Sequence, residues 1–160
     1  MPDTTPIASA EVVAKYILAQ SPLHRMSAMK LQKLVFYSQA WSLAWDDRVL
    51  FGEPIEASSE GPIVRSLWEK TNRAYEVSLD DLTGDLATLD SGAQKTILNA
   101  LRFYGDMTDG ELGDLIEVEE PWRAARGESP SDAVVLHATI DIGLMTNYYR
   151  ALGRRADVAV

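Results

Sequence analysis

The sequence predicts a mainly α, compact multi-helix single domain, and three observations carry that prediction. Apolar residues recur at helical spacing in most of the longer segments. Ser or Thr at the starts of those segments, and Pro or Gly at their ends, supply caps and stops. The length of 160 residues, with 46% hydrophobic and 24% charged side chains, fits one globular core. A small β element near residues 54–58 is the one interruption with an extended pattern.

Residues 1–7 hold two prolines and two threonines and read as a flexible tail. Ser9 is placed to cap a first helix, with Glu11 where the helix dipole favours an acid. Val12, Val13, Tyr16 and Ile17 form its apolar face, and Pro22 stops it. Ser27 caps a second helix running to about Asp46, in which Leu31, Leu34, Val35, Ser38, Ser42 and Trp45 make a core-facing stripe. Gly52 and Pro54 break any helix there, and the chain around Ile55 reads as extended. Gly61-Pro62 reads as a turn into a helix through Val64, Leu67 and Trp68, with Pro62 tolerated in the first turn.

Residues 76–92 contain Glu76, Asp80, Asp81, Asp85 and Asp90 but no basic residue, and read as an acidic connection with one short turn of structure. Ser91 and Gln94 have capping-box spacing for a helix whose face is Ile97, Leu98, Leu101 and Tyr104. Gly105 is its predicted left-handed stop. Thr108 and Glu111 repeat the box before Leu112, Leu115 and Ile116, and Pro121 opens a short piece ending at Gly127. A last helix from about His137 aligns Ile140, Leu144, Tyr148 and Leu152. Residues 153–160 read as a second flexible tail, which places the helical domain at 8–152.

The balance of 15 Lys and Arg against 24 Asp and Glu gives a net charge of -9. That sign opposes nucleic acid, whose binding depends on neutralised phosphates, and it steers basic proteins towards the surface. The chain has no cysteine, so disulfides, thiolate nucleophiles and Cys-ligated metals are ruled out. The start Met-Pro-Asp-Thr-Thr-Pro lacks the basic and apolar regions of a signal peptide, and no run approaches the roughly 20 apolar residues of a membrane span. Cytoplasm is the expected compartment.

Catalytic chemistry finds little support. His24 and His137 are the only histidines and lack metal-ligand spacing, so neither a metal nor another cofactor is expected. There is no P-loop, G-x-G-x-x-G or G-x-S-x-G motif. The pairs Asp46-Asp47, Asp80-Asp81 and Glu119-Glu120 read as solvated carboxylates. The expectation is a non-enzymatic protein.

Binding signals are better. Lys33, Tyr37 and Trp41 lie at i, i+4 and i+8 beside the core face of the second helix, with Lys30 on the same side. They read either as a lysine snorkelling over core aromatics or as an exposed contact surface. Tryptophans at 41, 45, 68 and 122 are large anchors for either use, and exposed aromatics leave a homo-oligomer open. Arg25, Lys30 and Lys33 make a small basic patch, a slender basis for DNA binding.

The order of motifs is more specific than any one of them. Lys30-Leu-Gln-Lys-Leu-Val-Phe-Tyr-Ser-Gln-Ala-Trp is followed by Leu50-Phe-Gly-Glu-Pro-Ile-Glu-Ala, then Gly61-Pro-Ile-Val. Glu111-Leu and Glu120-Pro-Trp-Arg-Ala-Ala-Arg come later. Over residues 8–150 this series resembles the SocA-like antitoxin family, or Panacea domain, of bacteria and their phages. The resemblance implies a mainly helical antitoxin that neutralises a cognate toxin, encoded by a neighbouring gene, through direct protein contact. One type of member is instead an adaptor that delivers its toxin to a ClpXP-type protease, and the tail Ala156-Asp-Val-Ala-Val somewhat resembles a degradation tag. A DNA-binding regulator is a further alternative.

The matched positions are Lys30, Leu31, Lys33, Leu34, Tyr37, Trp41, Gly61, Pro62, Pro121 and Trp122. The expected partner-binding residues are Lys30, Lys33, Tyr37, Trp41, Gly61, Pro62 and Trp122. The chain departs from the family pattern at Ser58-Ser-Glu60, where an aromatic is common, and at Ile116-Glu117, where Thr-His is common.

Overall fold

Ser27 starts the helix around which the rest is built. Its Oγ accepts the Lys30 N–H at 3.1 Å and opens α2 (Ala28–Trp41). In the computed structural model, which describes residues 5–71, 74–127 and 138–155, every side chain of α2 from Leu31 to Trp41 is buried. A helix buried on all sides must satisfy its polar side chains internally. Gln32 and Gln39, seven residues apart, do so by clasping extended backbone. Gln32 accepts from Val64 N at 2.9 Å and donates to Val64 O at 3.3 Å. Gln39 accepts from Leu50 N and donates to Phe51 O, both at 2.8 Å.

In chain order, α1 (Ala10–Ala19) and β1 (Arg25–Ser27) precede α2, and β2 (Glu56–Ser58), β3 (Gly61–Ile63), α3 (Arg65–Lys70) and β4 (Glu76–Ser78) follow it. Then come α4 (Ser91–Tyr104), α5 (Asp109–Glu117), α6 (Glu120–Arg126) and α7 (Ile142–Arg155). Among the described residues the fold is mainly α, with two small antiparallel sheets. In one, β1 pairs with β4 in the register Met26↔Val77; in the other, β2 pairs with β3 in the register Ala57↔Pro62. Helices α1, α4, α5 and α7 pack around α2. The core they share includes Val13, Ile17, Phe36, Leu50, Phe51, Ile97, Leu112 and Tyr149.

Several ends lie where local chemistry puts them. Ser9 caps α1 by accepting from Val12 N, and Thr108 and Glu111 form a complete capping box on α5. Pro121 sits in the first turn of α6, and Gly127 ends that helix at φ 70°. The extended element expected near 54–58 is strand β2.

Other elements differ. The second helix is α-helical only to Trp41 and continues as a π-helical turn, Ser42–Asp46, which leaves Trp45 on the rim rather than in the core. Gly61-Pro62 does not start a helix: Gly61 has φ +128° and, with Pro62, lies in β3, so the helix begins at Arg65. The acidic connection holds β4 and two 3₁₀ turns, Leu79–Asp81 and Leu86–Thr88. Gly105 is right-handed, at φ -62°. A Cβ there would sit 2.5 Å from Leu101 O, so glycine is required for closeness, not handedness. Helix α7 extends to Arg155 and buries Met145 and Tyr149, one residue round from the expected Leu144 and Tyr148. His137, residues 1–4 and the tail 156–160 lie outside the described residues.

The cap of α4 is Asp90, not Ser91. Asp90 Oδ1 accepts from Ala93 N at 2.9 Å, and Oδ2 accepts from Arg48 Nη2 at 2.7 Å. The Arg48 hydrogen bond, aided by the Ala93 amide, lowers the Asp90 carboxyl to about 2. A lowered folded-state value means stability that is fully present above the ordinary 3.8 and lost as pH falls through about 2. Asp90→Ala is expected to cost about 1 kcal/mol at neutral pH, mostly from the cap, because an exposed ion pair adds little. Urea titrations should show the gap between wild type and variant closing between pH 4 and pH 2.

Candidate functional site

The stripe of Lys33, Tyr37 and Trp41 points inward. Tyr37 is 0% and Trp41 4% exposed, so as exposed contact residues they are corrected to core residues. The physical reason is that α4 and α7 cover the face that sequence spacing left open. The Tyr37 ring stacks on Tyr104 at 3.9 Å between centroids, and Trp41 Nε1 donates to the Tyr104 hydroxyl at 2.9 Å. Trp41 also stacks against Trp45 at 4.6 Å.

Glu119 lies beneath this cluster. It is 3% exposed, which overturns its reading as a solvated carboxylate. The hydroxyls of Tyr37 and Tyr149 both donate to its Oε1, at 2.8 and 2.6 Å. One carboxylate oxygen thereby ties α2, α7 and the α5–α6 junction together. Burial pushes the Glu119 carboxyl up, opposed by the two tyrosine hydrogen bonds. Burial also raises Tyr37, Tyr104 and Tyr149, with the Glu119 charge adding to each, so the phenols remain protonated. The other paired acids are exposed, as their reading expects, although Asp46 accepts from Thr96, Asp47 from Arg150, and Asp81 from Ser78.

Four of the expected residues, Lys33, Gly61, Pro62 and Trp122, do come together. They line a cleft of about 240 Å³ between the β2–β3 hairpin, α5 and the start of α6. Lys33 is 4% exposed and forms the floor. Its Nζ lies 2.5 Å from Asp109 Oδ1 and 3.3 Å from Glu60 O. Gly61 leaves room for it, since a Cβ there would come within 3.1 Å of Lys33 Cε. Trp122 forms a wall and carries the Arg126 guanidinium 5.7 Å from its ring centroid. A second, larger cleft of about 560 Å³ adjoins the first and shares Glu117 and Trp122 with it.

Lys30 lies elsewhere, donating to Gly105 O at 2.8 Å. The small basic patch does not form: Arg25 faces Glu76 at 3.9 Å and Lys33 is enclosed. Among the described residues no group of three or more His, Asp or Glu is placed to hold a metal ion, and no helix is long and apolar enough to cross a membrane.

Sequence reasoning missed the α5 wall of the cleft. Gly110, Gly113, Asp114 and Glu117 stand at i, i+3, i+4 and i+7 and share one face of the helix. That spacing stands in Asp109-Gly-Glu-Leu-Gly-Asp-Leu-Ile-Glu, where the apolar positions Leu112, Leu115 and Ile116 give the stronger helical signal. Asp114 and Glu117 have no hydrogen-bond or ion-pair partner among the described residues, and both are exposed. Ser59, Glu60, Ile116 and Glu117, from the two segments that depart from the family pattern, line this same cleft.

Fold and cleft define a class: a small, mainly α domain with an acid-rich recess built beside its central helix. The family model described as antitoxin SocA-like, Panacea domain, matches residues 31–123, more than half of the chain, and the protein belongs to that family. The matched span includes every residue lining the 240 Å³ cleft. No curated protein and no solved structure matches the chain.

Proposed function

We propose that this protein is the antitoxin of a toxin–antitoxin pair and neutralises its cognate toxin, the product of a neighbouring gene, by direct protein contact in the cytoplasm. Membership of the SocA-like antitoxin family is the observation that carries this reading. The net charge of -9 supports it by favouring encounter with a basic partner. The acid-rich cleft is the contact face in this reading, replacing the buried stripe of α2.

Co-expression with the neighbouring gene product, scored by growth and by size-exclusion chromatography of the lysate, tests the proposal. Restored growth with a co-eluting complex is the expected result. Restored growth without a complex, and lost in a host lacking a ClpXP-type protease, would replace direct neutralisation with delivery for proteolysis. A neighbour that is harmless when expressed alone would overturn the pairing.

A further inference from the structure

We infer that the cleft beside α2 receives an arginine side chain of the partner protein; this deepens the antitoxin reading and rests on it. The first argument is size. An apolar cavity of about 150 Å³ admits a benzene ring, so a cleft of about 240 Å³ has room for a single long side chain.

The second argument is charge. Glu60, Asp109, Asp114 and Glu117 line the cleft against one ammonium, that of Lys33. Lys33 is already committed to Asp109 and to the Glu60 carbonyl. Asp114 and Glu117 therefore have no ion-pair partner among the described residues, the cations Arg123 and Arg126 lining the adjoining cleft instead. An anionic guest would meet their repulsion, whereas a cation would complete the set.

The third argument is that the chain's own cations display what these walls accept. An ammonium is held at the floor, and Trp122, which this cleft shares with the adjoining one, carries a guanidinium there, that of Arg126. Between them, Gly110 and Gly113 project no side chain into the space. Arginine fits this arrangement better than lysine. Its planar fork can pair with two carboxylates one helical turn apart while its face lies against an aromatic wall.

The test uses the full chain, labelled with ¹⁵N, and a blocked Gly-Arg-Gly peptide as probe, with Gly-Lys-Gly as comparator. Saturable shifts at the Trp122 indole N–H and the Gly110 and Gly113 amides are expected, with the lysine peptide binding more weakly. Asp114→Asn with Glu117→Gln should weaken the arginine peptide by about tenfold, the worth of one charge-assisted hydrogen bond. Both changes are nearly isosteric and lie on exposed positions, and an unchanged circular dichroism spectrum would verify the fold. Shifts spread over the acidic segment 76–92, or binding indifferent to the double substitution, would overturn the inference. If the peptide fails to bind while the toxin still co-elutes, the cleft assignment falls and the antitoxin reading stands. If the peptide binds and the neighbouring product is harmless, the antitoxin reading falls and the arginine site stands.

Discussion

Glu119→Ala is expected to destabilise the protein by about 3–5 kcal/mol, measured by urea unfolding at neutral pH. The substitution removes the acceptor shared by the Tyr37 and Tyr149 hydroxyls, both fully buried. Each orphaned hydroxyl costs about 1–3 kcal/mol, and the void left by the side chain adds to that. Glu119→Gln keeps an acceptor oxygen and should lose clearly less. A small loss with alanine would mean that the tie between α2, α7 and the α5–α6 junction contributes little.

The same pair of variants reads the charge. Burial lifts Glu119 above its ordinary 4.5, so the folded state retains this proton to higher pH than the unfolded chain does. Its contribution to stability is therefore largest below about 4.5 and declines as pH rises through the raised value, opposite in sign to that of Asp90. Glutamine cannot titrate, so Glu119→Gln should remove this decline from the pH profile.

Trp41→Ala is the second large effect, with an expected loss of about 3–5 kcal/mol from an emptied core site. The indole packs edge-on to Tyr149 at 5.5 Å between centroids, stacks on Trp45 and donates to Tyr104. Any loss of binding to the proposed toxin partner should track the fraction unfolded, because the ring is not on the surface. Trp41→Phe should restore most of the packing. If Trp41→Ala left the urea midpoint unchanged while abolishing co-elution with the proposed toxin partner, the residue would be a contact and the core assignment wrong.

What the sequence by itself determined was the class of the fold and those elements whose limits are set within a turn or two of chain. Ser9, Ser27 and the Thr108–Glu111 box cap their helices by bonds to amides three residues away, and such chemistry is written locally. The family was also legible, because its motifs run along the chain in order.

The tertiary structure decided everything that depended on a distant partner. Asp90 and Ser91 are both capable caps, and Asp90 serves with its carboxylate also held by Arg48, 42 residues away. Gly61-Pro62 became a strand because Glu56 and Ser58 pair with Ile63 and Gly61 across the hairpin, and Gln32, 32 residues away, clasps the next residue, Val64. Glu119 looked like a solvated acid until tyrosines 82 and 30 residues away closed over it. The spacing of Lys33, Tyr37 and Trp41 fixed that they share a side of α2, but not whether that side meets solvent. Periodicity specifies which residues face together; which neighbour covers the face is settled by long-range packing, and that decision placed Lys33 against Asp109, 76 residues away, at the floor of the cleft.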